Sequence, residues 1–296
     1  MVGAFIEVYQ SLGCATTDAK SWYVVPNRLT MFGFKTRRRH RLRSQPFPAP
    51  WLAILQRNVP HYARLTPAEQ HELQGVIEVF IAEKNFEGCG GLEMTDEIKV
   101  TIAAYACMLL LHIEHHDYYP RLQSILVYPD AYPVPVTRWG PGNEIIETHE
   151  MRAGESWRTG AVVISWNHVL HRPSDPSGGR NVALHEFAHQ LDGENGFVDG
   201  APALPRTSMY RAWARVLSKE YQALSEAADA DRPTLLDKYG ATNPAEFFAV
   251  VTEYFFEQPR QLQERHPELY EELKLYYRQD PANTGSATGT AQPMEE

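Results

Sequence analysis

An α+β fold is predicted for this 296-residue chain from three observations. Apolar residues recur at three- and four-residue spacing over 66–84 and 184–191, the period of helices with one buried stripe. Ser124-Ile125-Leu126-Val127-Tyr128 and Ala161-Val162-Val163-Ile164-Ser165-Trp166 are short β-branched and aromatic runs, which read as strands. The chain is 43% hydrophobic and 11% aromatic, enough to bury a full core around both kinds of element. A helical subdomain over 31–120 is expected to precede a second region over 121–281, where a small mixed sheet lies over helices.

Residues 1–30 show no strong period, and Met31-Phe32-Gly33-Phe34 reads as a second beginning. Residues 1–30 are therefore expected to be an extension upstream of a start at Met31. The basic run Arg37-Arg38-Arg39-His40-Arg41 is expected to be a solvated arm, set off by Pro46, Pro48 and Pro50. A helix is predicted from Thr66-Pro67 to Lys84, with Thr66 as cap, Pro67 at the first helical position and Glu69 at the capping-box position. The stretch 98–113 is apolar nearly all round and predicts a helix buried on every side. It ends in His112-Ile113-Glu114-His115-His116, where the glutamate is misplaced to act as a base beside two metal-binding histidines; the cluster reads as a polar helix end.

Residues 129–160 are rich in proline and glycine and are expected to be loop with one short strand around Ile145-Ile146. The 161–166 strand comes shortly before the histidine-bearing helix. Two readings stand for it: an edge strand that pairs with an extended peptide, or an ordinary core strand. A packing helix is predicted over 208–228, and residues 282–296 read as a disordered tail.

Chemistry concentrates in Leu184-His185-Glu186-Phe187-Ala188-His189-Gln190-Leu191-Asp192. Two histidines four apart stack on one helix face, so both imidazoles reach one zinc ion while the intervening glutamate reaches its water. Leu184, Phe187, Ala188 and Leu191 anchor the opposite stripe, Asn181 caps the helix and Gly193 ends it. Asp192 has two readings, a carboxylate that orients a ligand histidine or a charge at the helix end.

Catalytic zinc takes three protein ligands and leaves a position for water. A helix begun by Asn243-Pro244 offers Glu246 and Glu253, which share a face about 10 Å apart, so only one can touch the ion. Glu246 also fits a capping box with Asn243, and spacing alone leaves the choice open. His149, His168 and His171 are weaker candidates because they fall in predicted loops or beside a strand.

The formal net charge of −9 argues against general nucleic-acid binding. The three cysteines, Cys14, Cys89 and Cys107, are widely spaced and form neither a disulfide framework nor a zinc knuckle, which points to a cytoplasmic protein. Neither an export signal nor a membrane span is expected.

His185-Glu-Phe-Ala-His-Gln-Leu-Asp192 followed by Tyr239-Gly-Ala-Thr-Asn-Pro-Ala-Glu246-Phe-Phe resembles the zinc-dependent peptidases of the Mlc titration factor A family, whose catalytic region is similar to the last domain of anthrax lethal factor. The likeness runs from about Phe32 to Pro281 and includes the stretches 125–129, 154–166 and 277–281. It implies a zincin-like, gluzincin-type domain with one zinc ion held by His185, His189 and Glu246. Glu186 is then the general base and Tyr239 the hydroxyl that stabilises the oxyanion. Aminopeptidase activity on short peptides is implied, and the family's name implies an alternative, sequestration of a transcriptional repressor with hydrolysis secondary.

Overall fold

The computed structural model describes residues 28–113, 117–139, 145–157, 160–170 and 180–283. Helix α1, Arg28–Arg43, contains the basic run: Arg37, Arg38, His40 and Arg41 are exposed, as a solvated run requires, but the run is helical and Arg39 is half-buried. Arg39 donates to both carboxylate oxygens of Glu83, at 2.8 and 2.7 Å, pairs with Asp117 at 2.6 Å, and lies 4.4 Å over the Tyr118 ring. Arg38 donates to the Ala82 carbonyl. The partners are distant in sequence, so a run of like charge looked unpaired where it docks a helix.

Helix α2, Ala49–Asn58, and a short 3-10 turn lead to α3, Pro67–Glu83. Thr66 and Glu69 form the expected capping box around Pro67. After β1, Asn85–Gly88, helix α4 spans Asp96–Met108 and is buried almost throughout. It stops short of the predicted 113, and Cys107 within it is a buried thiol. His112 sits at φ +66° with Nε2 3.0 Å from Glu69, so it pairs with the cap of α3. His115 and His116 lie outside the described residues.

The predicted strands are β2, Ser124–Tyr128, and a later strand over Ala161–Ser165. Between them much of the expected loop is strand: β3, Tyr132–Trp139, pairs antiparallel with β4, Ile145–Arg152, which contains the short strand expected at Ile145-Ile146, and β5, Gly154–Trp157, follows. Pro133 and Pro135 obscured β3. Prolines at alternate positions remove donors along one edge of a strand only, and the other edge is free to pair. The main sheet has the order β1-β2-β6-β5, where β6 is Ala161–Ser165; β1, β2 and β6 run parallel and β5 antiparallel. Strand β6 is thus internal, and the edge-strand reading passes to β5.

Helices α5, Trp166–Leu170, and α6, Val182–Asp192, follow the sheet, then α7, Met209–Asp229, α8, Pro244–Glu257, α9, Pro259–Arg265, and α10, Pro267–Tyr277. Ile125, Val127, Val162 and Ile164 face these helices in one continuous core. Phe80 of α3 and Tyr119 pack on Phe187 of α6, with ring centroids 5.8 and 5.2 Å away. On the far side Trp213, Phe248 and Tyr276 interlock, which holds α7, α8 and α10 together. Burying aromatic side chains at this density contributes about 1.5–3 kcal/mol each. The framework that carries α6 and α8 is therefore stiff.

Candidate metal centre

Two helix starts set the geometry. The Asn181 side chain accepts the Leu184 amide at 3.2 Å and begins α6, whose Ala183, Leu184, Phe187, Ala188 and Leu191 are buried. That stripe leaves His185 and His189 on the neighbouring face, half-buried, with ring centroids 4.9 Å apart. The Asn243 side chain accepts the Glu246 amide at 3.0 Å and begins α8 with Pro244 in its first turn.

The Glu246 carboxylate does not close a capping box. It turns across to α6, where Oε2 lies 2.9 Å from His185 Nε2 and 3.3 Å from His189 Nε2. Glu253, two turns along, accepts from His185 Nδ1 at 2.7 Å and from the Asn181 amide. The two glutamates that spacing could not separate thus take opposite sides of one imidazole.

Among the described residues, His185, His189 and Glu246 form a group able to hold a metal ion, with ligand atoms within 4.8 Å of one another. The donor set fits zinc, which takes imidazole nitrogen and carboxylate oxygen. Glu253 at Nδ1 of His185 fixes the tautomer that leaves Nε2 to face an ion. Charge fits as well: Glu186, Glu246 and Glu253 crowd two imidazoles, and Glu186 and Glu253 are each only 5% exposed. Burial works against the charge of Glu246, but its bonds to His185 and His189 outweigh it and hold the carboxyl well below the usual range. Burial likewise disfavours charge on His185, yet Glu246 and Glu253 raise its pKa well above the ordinary value. Burial, with Glu246 and Glu253 adding to it against the opposing effect of His185, pushes Glu186 up to about 8. A cation between the histidines would relieve all three carboxylates.

The centre opens into a cleft of about 1080 Å³ whose lining includes Arg121, Gly154, Glu155, Val182, Glu186 and Tyr239. Strand β5 crosses it so closely that a Cβ on Gly154 would collide with the Glu186 carboxylate and lie 2.7 Å from Val182 Cγ2. Tyr239 stands on a 3-10 turn, Lys238–Ala241, 53% exposed, with its ring 5.9 Å from that of His185. Asp192 is fully buried and accepts the Gly200 amide at 2.9 Å, so it ties down the loop after α6 and is not a surface charge. His168 lines the cleft but bonds Ser165 at 2.8 Å. The His149 side chain and His171 lie outside the described residues.

Sequence reasoning passed over Gly154 and Asp237. The signal for Asp237 was present: an Asp two residues before Tyr239 is an Asx-turn spacing, and its Oδ1 accepts the Tyr239 amide at 2.9 Å. Gly154 gave none, because a glycine before a strand reads as loop.

The pattern described as glucose-regulated metallo-peptidase M90 matches residues 34–278. The chain belongs to this metallopeptidase family. An uncharacterized protein of Synechocystis sp. is 42% identical over 245 residues, 82% of this chain and 89% of that protein. Mlc titration factor A of Pectobacterium atrosepticum is 32% identical and that of Klebsiella pneumoniae subsp. pneumoniae 30%, each over 78% of this chain and 86% of theirs. Family membership makes the chain a metallopeptidase, a hydrolase of peptides. No described helix is long and apolar enough to cross a membrane.

Proposed function

We propose that this M90 metallopeptidase is a zincin-like, gluzincin-type zinc aminopeptidase acting on short peptides, with one zinc per chain on His185, His189 and Glu246. The observation that carries the reading is the convergence of both Nε2 atoms on the Glu246 carboxylate, with Glu186 buried beside them at the floor of a cleft. A zinc ion bound there supplies Lewis acidity, bringing the pKa of its water from ~15.7 toward ~7.

The protein's own groups do the rest. Glu186 takes the proton from the attacking water and passes it to the leaving amine. Tyr239 donates its hydroxyl to the oxyanion that forms on the peptide carbonyl. Strand β5 is an edge, and its main chain is placed to pair with an extended substrate, holding the scissile bond over Glu186. Glu253 keeps the His185 ring oriented throughout.

The name of the Klebsiella and Pectobacterium relatives supports a second reading, in which the chain titrates a transcriptional repressor and hydrolysis is secondary. One experiment separates them. Wild type and Glu186→Gln are assayed on fluorogenic aminoacyl and short-peptide substrates, with chelator and zinc add-back. Chelator-reversible turnover that the variant loses supports the peptidase. A folded, zinc-loaded wild type that cleaves nothing, and a Glu186→Gln variant that retains the biological effect, move the weight to partner binding.

A further inference from the structure

Tyr239 is more than half exposed, and the turn that carries it sets where its hydroxyl can reach. That turn is tied at several points. The Asp237 side chain accepts the Tyr239 amide, the Asp237 carbonyl accepts the Gly240 amide at 3.0 Å, and the Thr242 hydroxyl donates to the Tyr239 carbonyl at 2.7 Å. Gly240 is wedged against Leu224 of α7 and Val250 of α8, where a Cβ would come within 3.2 and 3.3 Å. Tyr221 of α7 donates to the Ala241 carbonyl at 3.2 Å. These contacts locate the turn against α7 and α8.

The metal-facing histidines are on α6, and a different contact bridges to it. Arg180, the residue before the α6 cap, donates through Nε at 2.5 Å and through Nη2 to Asp237 Oδ2. Asp237 thus holds the Tyr239 amide with one oxygen and the start of the metal-binding helix with the other. Arg180 is 63% exposed against 17% for Asp237, and an ion pair with one partner this open to water adds little to stability. Its effect is geometric.

We propose that Asp237, clamped by Arg180, is a positioning residue that sets the Tyr239 hydroxyl against the reacting carbonyl. The inference rests on the proposed role of Tyr239 as oxyanion donor. Displacing a donor by about 1 Å is enough to lose ~100-fold in rate, whereas binding of substrate main chain on β5 is untouched.

The test uses the full zinc-loaded chain and the variants Arg180→Gln, Arg180→Lys and Tyr239→Phe, alone and combined. Arg180→Gln is expected to lower kcat by about 10- to 100-fold with KM, zinc content and Tm unchanged. Arg180→Lys should recover part of the loss. In the Tyr239→Phe background Arg180→Gln should have no further effect. A second readout needs no turnover: 3-fluorotyrosine placed at position 239 should give a ¹⁹F resonance that moves toward the free amino-acid position in Arg180→Gln. Wild-type kcat in Arg180→Gln beside a crippled Tyr239→Phe overturns the positioning pair alone. The same loss in both backgrounds, or an unmoved resonance, overturns it too. An unimpaired Tyr239→Phe overturns the tyrosine's role and the pair with it.

Discussion

Replacing Glu253 by glutamine tests how the centre divides labour between its two glutamates. Both Glu253 oxygens are used, one by His185 Nδ1 at 2.7 Å and the other by the Asn181 amide, in a site 5% exposed. Glutamine has one acceptor oxygen. If it stays with Asn181, His185 loses the partner that fixes its tautomer; if it stays with His185, the Asn181 amide at the start of α6 is left facing an amide donor. An unsatisfied buried donor costs about 1–3 kcal/mol of stability. Loss of the partner behind a ligand histidine weakens metal binding by about 10- to 100-fold, or ~1.4–2.7 kcal/mol. Zinc affinity is measured by competition with a chromophoric chelator, beside Glu246→Ala, which removes a charged ligand and should lose more. Wild-type affinity in Glu253→Gln, or a loss larger than that of Glu246→Ala, would refute the assignment.

Three further outcomes are expected. Tyr239→Phe should reduce kcat by about 100- to 1000-fold with zinc content unchanged, read by steady-state kinetics and metal analysis. Gly154→Ala should keep its zinc yet lose ~100-fold in kcat, because the new methyl pushes β5 away from Val182 and shifts Glu186; full activity would show that the strand has room to yield. Glu194→Gln should change how stability depends on pH. Burial and then Asp117, with Lys84 and Arg121 opposing, push Glu194 up to about 7, so between ~4.3 and that value the folded chain holds a proton that the unfolded chain releases. Wild-type stability therefore falls across that window by on the order of 3 kcal/mol from this group. The difference between variant and wild type in denaturant titrations at pH 5 and 8 isolates it, and a difference that does not grow with pH would contradict the shift.

The site helices were legible because their signals are local. Asn181, Asn243, Pro244 and the stripe through Phe187 and Leu191 act within one or two turns, and the two histidines follow from helical spacing. What escaped needed contacts distant in sequence. Glu246 and Glu253 share a helix face, and only the docking of α8 on α6 decides which reaches Nε2. Arg39 of α1 could not be told from its solvated neighbours because Glu83 and Asp117 lie far along the chain. Strand β3, and with it the pairing to β4, was hidden by prolines that punctuate a loop in most contexts. Strand β6 carried the clearest strand pattern because it is internal; β5, the edge strand beside the cleft, is short and begins on glycine.

The borders of the main sheet carry a consequence beyond catalysis. Open backbone that admits a peptide would equally admit a strand from another copy, the usual beginning of aggregation. Here β1, Asn85–Gly88, and β5, Gly154–Trp157, are each four residues long, and each places a glutamate, Glu87 or Glu155, among those four. A register this short gives a visiting strand few bonds, and a carboxylate on each border repels its twin. On borders this short and this charged, a second sheet finds too little to stay.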